Sequence, residues 1–135
     1  MIVLDTNVLS EPLRPASSGK VVAWMSSQTD VAVTAVSVAE LLVGARRLPP
    51  GVRKERLIAD IEVILSGARV LSFDERAARV YARMQESRRA AGRALSVEDG
   101  MIAAIAAVHH ASLATRNTAD FEGLDLDLIN PWTGD

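Results

Sequence analysis

A chain of 135 residues, 49% hydrophobic and 24% charged, fits one globular domain that buries about two-thirds of the surface its unfolded form exposes; a disordered or fibrous protein is excluded. The net charge of −2 excludes a generic polyanion binder, and the lack of cysteine excludes disulfides, thiolate metal sites and a cysteine nucleophile, in keeping with a reducing compartment. The longest apolar run, Met101 to Val108, is far short of the ~18 residues a membrane span needs, and the start lacks the basic flank and cleavage pattern of a signal peptide, so the expectation is a cytoplasmic protein with no membrane attachment.

Residues 2–5 read as a short buried strand, after which Thr6 or Asn7 is placed to cap a helix that must end near Pro12 or Pro15. Val21 to Ser27 have helical spacing. The β-branched run Val31 to Thr34 reads as a second strand. Residues 36–47 are helical and end before Pro49-Pro50. Residues 52–66 carry Leu57, Ile58, Ile61, Ile64 and Leu65 on one helical face and stop at Gly67. Val70-Leu71 centre a third strand. Asp74 caps a helix over 75–91, Ser96 opens another running to about His110, Ser112 to Thr115 form a fourth strand, and Leu126 to Ile129 a fifth, stopped by Asn130-Pro131. This alternation predicts a single α/β domain over residues 1–135, with a central, mainly parallel five-stranded sheet flanked by helices. Sites in such sheets form beyond the carboxyl ends of the strands, where Asp5 and the segment after Thr115 fall.

Three acidic residues stand beside apolar elements. Asp5 closes Met1-Ile2-Val3-Leu4, Glu40 interrupts the run from Ala35 to Val43, and Asp99 opens the stretch from Met101 to Val108. Charged carboxylates are seldom buried unless they are paired or hold a metal. Each has a purely structural alternative: Asp5 as a helix cap, Asp99 as the partner of Ser96 in a capping box, and Glu40 as a solvated helix residue. Against the last, Glu40 shares a helix face with Val36 and Val43-Gly44. Glu98 points about 100° away from Asp99 and reads as solvated. Taken together, hard oxygen donors without cysteine or a paired histidine motif suit Mg2+ or Mn2+. Such a site suits phosphodiester hydrolysis by water. Two arginine-rich segments, Arg46 to Arg56 and Arg76 to Arg93, either flank this acidic centre as a polyanion surface or simply solvate helices.

Four segments carry a resemblance. Met1 to Ser10 (MIVLDTNVLS), Ser37 to Gly44 (SVAELLVG), Glu98 to Ala104 (EDGMIAA) and Ala114 to Phe121 (ATRNTADF) resemble, in order, the four motifs of the PIN domain. Glu11-Pro12-Leu13-Arg14-Pro15 and the closing Asn130-Pro131-Trp132 are similar to the FitB/VapC branch, the toxin ribonucleases of bacterial toxin–antitoxin pairs. The resemblance implies an endoribonuclease whose acidic triad, Asp5, Glu40 and Asp99, holds Mg2+ or Mn2+. It also implies an RNA substrate, a cognate antitoxin whose C-terminal segment covers the site, and a homodimer. The position often occupied by a fourth acidic residue is Asn117, which offers a carbonyl oxygen without charge; Asp120 is the alternative supplier, although Asp120-Phe121 also suits a turn with Phe121 packed inward. Two rival readings stay open, a structure-selective DNA nuclease of the same fold and a non-catalytic module whose carboxylates capture a basic peptide. Arg14, Arg46 and Arg116 are candidate RNA contacts, and Thr115 a candidate carboxylate partner. Val80, Tyr81 and Met84 form a stripe that suits core packing or association. His109-His110 read as a helix end favoured by the dipole, and Trp24 and Trp132 as core anchors.

Overall fold

Short β-branched runs separated by helical stretches can pair only through crossovers, and crossovers make parallel sheets. The computed structural model describes residues 1–134. Its strands are β1 (Ile2–Leu4), β2 (Val31–Thr34), β3 (Arg69–Leu71), β4 (Ser112–Ala114) and β5 (Leu128–Ile129), in the spatial order β3-β2-β1-β4-β5. Every neighbouring pair is parallel, so the sheet expected to be mainly parallel is wholly so. The helices are α1 (Thr6–Ser10), α2 (Gly19–Ser27), α3 (Ala35–Arg46), α4 (Val52–Ser66), α5 (Glu75–Ala90) and α6 (Val97–Val108), with 3-10 turns over Glu11–Leu13 and Thr118–Phe121. Among the described residues no helix is long and apolar enough to cross a membrane.

Both faces of the sheet are covered, and the pleat divides the core. Val3, Ala32 and Leu113 point to one side, where Ile102, Ile105 and Phe121 pack; Leu4, Val33 and Ala114 point to the other, against Val8, Val21 and Ile61. Burial on each side explains why the strands read as continuous apolar runs rather than alternating ones. α6 is buried nearly all round, and its alanines at 103, 104 and 106 let it lie close to its neighbours. Each fully buried isoleucine contributes about 1.5–3 kcal/mol over an exposed one. The stripe of Val80, Tyr81 and Met84 packs against the first of these clusters, with the Tyr81 ring edge-on to Phe73 at 6.0 Å.

Element ends differ from expectation where long-range geometry decides. Asp5, not Thr6 or Asn7, is the residue that caps α1. α2 starts two residues before Val21 because the Ser18 hydroxyl accepts from the Val21 amide. β5 begins only at Leu128, since Gly123 and Asp125 take left-handed backbone (φ 81° and 58°) and Leu126 is used for packing rather than pairing. α6 ends before His109-His110, with His110 at φ 52°.

The order places β1 in the centre, with the chain turning to one side through β2 and β3 and to the other through β4 and β5. The switch point lies between β1 and β4. Their register pairs Leu4 with Ala114, so Asp5 and Thr115 emerge side by side at the carboxyl edge.

A carboxylate cluster at the strand carboxyl ends

Asp5 is buried, 4% exposed, and surrounded by donors. Its Oδ1 accepts from the Thr6 amide at 2.8 Å, and its Oδ2 accepts from the Thr115 hydroxyl at 2.7 Å and from Asn7 Nδ2 at 3.2 Å. Asn7 is held in that orientation because its own Oδ1 accepts from the Arg116 amide at 3.1 Å. A threonine beyond β4 and a helix start beyond β1 thus fix one carboxylate between them.

Glu40 joins from β2. That strand ends at Thr34, whose hydroxyl caps α3 by accepting from the Ser37 amide at 3.1 Å. One turn further on, Glu40 is exposed, yet its Oε1 accepts from the Thr6 hydroxyl at 2.8 Å. Thr6 Oγ1 also lies 2.7 Å from the buried Ser37 hydroxyl. With the threonine proton spent on Glu40, Ser37 must be the donor in that pair. A relay Ser37 to Thr6 to Glu40 therefore ties the second carboxylate to the helix that Asp5 caps.

Asp99 stands in the first turn of α6, where the Ser96 hydroxyl accepts from its amide at 3.1 Å, the capping arrangement the sequence predicts. The next residue, Gly100, permits close approach to α5: a Cβ there would lie 2.8 Å from a Tyr81 ring carbon and 3.3 Å from Gln85 Nε2. Two buried polar side chains of α5 hold the surrounding loops. Gln85 donates to the Leu95 carbonyl and accepts from the Leu95 amide. Arg88 donates through Nε to the Arg93 carbonyl at 2.7 Å and through Nη1 to the Glu122 carbonyl at 2.8 Å. Arg93 in turn reaches the Ala119 carbonyl. The bracket closes a cavity of about 220 Å³ lined by Arg88, Ala94, Leu95, Ser96, Asp99 and Asp120.

The charges act on one another in series. Burial raises Asp5 above its usual 3.8, with the Glu40 charge adding to the rise and the bonds from Thr115, Thr6 and Asn7 opposing it. Burial is also the main reason Asp99 is raised; the charges of Asp5, Asp120 and Glu98 add, and Ser96 opposes. Glu40, Asp5, Asp99 and Asp120 thus form a chain of repelling neighbours. The ion pairs among the described residues involve Asp30, Glu11 and Glu75, and none of these four.

A divalent cation fits that donor set: hard oxygens, two of the carboxylates disfavoured in the charged form by burial and neighbours, and no ion pair to arginine or lysine among the described residues. Among the described residues no three His, Cys, Asp or Glu side chains are arranged to hold an ion outright. Glu40 is turned to Thr6, which suits an ion that keeps much of its water and takes only one or two carboxylates directly.

Asp5, Glu40 and Asp99 are therefore brought to one edge, as the sequence predicts. Asn117 plays a smaller part: it is exposed, and its amide donates to Thr115 Oγ1 at 3.1 Å. Asp120, in the 3-10 turn with the buried Phe121, is one of the acidic neighbours that raise Asp99, after Asp5 and ahead of Glu98. Sequence reading missed Ser37, for which the three-residue spacing to Glu40 on one helix was the available signal. It also placed Arg88 in a segment that either forms a polyanion surface or solvates its helix, whereas Arg88 is 7% exposed and fits neither. His109-His110 stand at the other end of α6 from Asp99, and Trp24 and Trp132 pack against the core, as expected.

The family model described as PIN domain matches residues 2–125. Toxin FitB of Neisseria gonorrhoeae is 43% identical over 138 residues, covering 98% of this chain and 99% of that protein. VapC ribonuclease Y4jK of Sinorhizobium fredii is 41% identical over 138 residues, covering 98% of each. Among solved structures, FitAcB from Neisseria gonorrhoeae has a TM-score of 0.87 at 43% identity, covering 98% of this chain and 99% of that one. VapBC2 from Rickettsia felis, bound to a DNA fragment from their promoter, shares the fold with a TM-score of 0.81 at 22% identity, covering 96% and 98%.

Proposed function

The chain belongs to the PIN domain family, and on that premise we propose that it is the ribonuclease toxin of a toxin–antitoxin pair, a divalent-metal-dependent endoribonuclease that hydrolyses RNA phosphodiesters. The names of its relatives, a toxin and a ribonuclease at more than 40% identity along almost the whole chain, point the same way. The observation that carries the reading is the series of carboxylates gathered at the switch point, with Asp5 and Asp99 raised in pKa and no ion pair to a basic side chain among the described residues.

Asp5 and Asp99 would hold the ion, directly or through water, with Glu40 a further ligand or the group that orients water. Mg2+ and Mn2+ are the ions that suit these donors. When bound, such an ion supplies positive charge against the phosphodiester and makes water a better nucleophile at neutral pH. The chain's own residues do the positioning. Three donors lock the Asp5 carboxylate, and Thr6 fixes one oxygen of Glu40 while the other, with no donor among the described residues, is left to accept a proton from water. Asp120 adds negative charge beside Asp99 and strengthens the pull on a cation; Asn117 is secondary.

The antitoxin has a place to bind. A mostly apolar cleft of about 320 Å³, lined by Leu13, Leu41, Ala45, Leu57 and Ile61, runs up to Glu40. It suits an apolar segment of a partner protein that sends a basic side chain into the acidic pocket and thereby competes with metal and substrate. Self-association as a homodimer is part of the same proposal.

The test is cleavage of single-stranded RNA with Mg2+ or Mn2+ by the parent and by Asp5→Ala and Asp99→Ala, with flapped DNA digested alongside. Each variant is expected to lose at least about 100-fold in rate. Full activity in both would end the proposed mechanism, and preferential cutting of the DNA would transfer it to the DNA-nuclease reading.

A further inference from the structure

We propose that Arg116, laid on the indole face of Trp132, is a phosphate-binding residue that grips the RNA strand at the lip of the acidic pocket; this rests on the ribonuclease reading above. Arg116 follows Thr115, the residue that bonds Asp5, and its main chain is pinned on both sides. Its amide donates to Asn7 Oδ1 at 3.1 Å, and its carbonyl accepts from Asn130 Nδ2 at 3.2 Å. Asn7 in turn donates to Asp5, so one asparagine links the arginine backbone to the buried carboxylate.

The side chain is exposed, and its guanidinium carbon lies 5.0 Å from the centroid of the Trp132 ring. Trp132 is set by the same asparagine that holds Arg116, since Asn130 Oδ1 accepts from the Trp132 amide at 2.9 Å. Its indole is half-buried against the core. One residue thus fixes both the platform and the cation on it. Stacking uses the flat face of a guanidinium and leaves the in-plane N–H groups at its edge free. Those are the groups that make paired, charge-assisted bonds to a phosphate.

The charge pattern supports the same occupant. The Arg116 main chain is tied to Asp5 through Asn7, and its side chain makes no ion pair with any carboxylate among the described residues. A polyanion approaching an acidic pocket is repelled, and a fixed cation at the rim offsets that repulsion at little entropic cost. Three other arginines are committed elsewhere or less fixed. Arg14 is paired with the buried Glu11, Arg88 is spent on two carbonyls, and Arg46 ends α3 with no partner that orients it toward the site.

The test is fluorescence anisotropy of a labelled single-stranded RNA, titrated in Mg2+ over a range of salt, in the Asp99→Asn background so that the strand stays uncut. Arg116→Ala is expected to weaken binding roughly tenfold and to lower the slope of log Kd against log salt by about 0.7, the value of one phosphate contact on a single strand. Arg116→Lys should fall between, keeping the charge and losing the planar fork. Trp132→Leu should weaken binding in part while keeping the salt slope, because the cation remains but is no longer held. An unchanged Kd and slope in Arg116→Ala, or an equal loss in Arg46→Ala, would overturn the assignment and leave the ribonuclease reading standing. A parent protein that neither binds nor cuts single-stranded RNA would overturn both.

Discussion

The Thr6 hydroxyl donates to Glu40 Oε1 at 2.8 Å, a bond between residues 34 positions apart that joins the helix after β1 to the helix after β2. Neither partner is fully buried, so its worth to stability is small; its worth to function is that an otherwise mobile glutamate is aimed. Thr6→Val keeps the shape and deletes the donor. It also leaves the buried Ser37 hydroxyl without its acceptor. RNA cleavage with Mn2+ is expected to fall about tenfold, the equivalent of about 1.4 kcal/mol in the barrier, while Thr6→Ser stays near the parent. Equal rates in Thr6→Val and parent would show that Glu40 needs no aiming.

Thr115 is fully buried, and its 2.7 Å bond is the largest influence holding the Asp5 pKa down. Thr115→Val removes that donor without changing volume much. Asp5 must then rise further, so the acid limb of the pH–rate profile should move to higher pH. The loss of a charge-assisted buried bond should also cost about 1.5–3 kcal/mol of stability at neutral pH, read from the urea midpoint. A lower midpoint with an unmoved acid limb would assign Thr115 to packing alone.

Both raised carboxylates make the metal-free protein less stable as pH rises. Folded Asp5 and Asp99 keep protons that the unfolded chain has already released at its ordinary 3.8. Their contribution to stability is present in full below that value and is lost as pH climbs through the folded values. In EDTA, the melting temperature is expected to decline over that window for the parent and to decline less for Asp99→Asn, which is then the more stable protein at neutral pH. Mn2+ should restore the parent and do little for the variant, since an ion that binds only the folded state stabilises it by mass action. A parent whose melting temperature ignores Mn2+ would argue against an ion at this cluster.

The parts of the site that were legible are those with local signals. Asp5 and Thr115 stand at strand ends, Asp99 follows a serine cap, and Glu40 breaks an apolar run, so spacing and residue type suffice to find them. What was not legible depends on residues meeting across the fold. The Asp120 charge acts on Asp99 in a turn that Arg88 and Arg93 hold through the Glu122 and Ala119 carbonyls, contacts that no sequence pattern marks. Arg88 looks like any other arginine on a charged helix until α5 packs on α6. Gly100 reads as one letter of a motif, and only the nearby Tyr81 ring shows why a side chain is not accommodated there. The late start of β5 is of the same kind, set by two left-handed residues rather than by strand propensity.

Arg88 gives a test of that long-range bracket. Its two bonds, 2.7 Å to the Arg93 carbonyl and 2.8 Å to the Glu122 carbonyl, join the loop before α6 to the turn that carries Asp120. Arg88→Met keeps an apolar stem of similar reach and removes both donors, leaving two carbonyls that must find water or stay unpaired. Each abandoned acceptor is only part-buried, so the ~1–3 kcal/mol of a buried one is an upper bound and a combined loss of about 2–4 kcal/mol is expected, allowing for access of water. The denaturation midpoint should shift with an unchanged m-value, since the surface exposed on unfolding is the same. Arg88→Lys can reach one carbonyl but not span both, and should lose about half as much. If Arg88→Met costs less than about 0.5 kcal/mol, within the range of an ordinary surface substitution, then the loop and the turn hold their places without it, and the proximity of Asp120 to Asp99 has another cause.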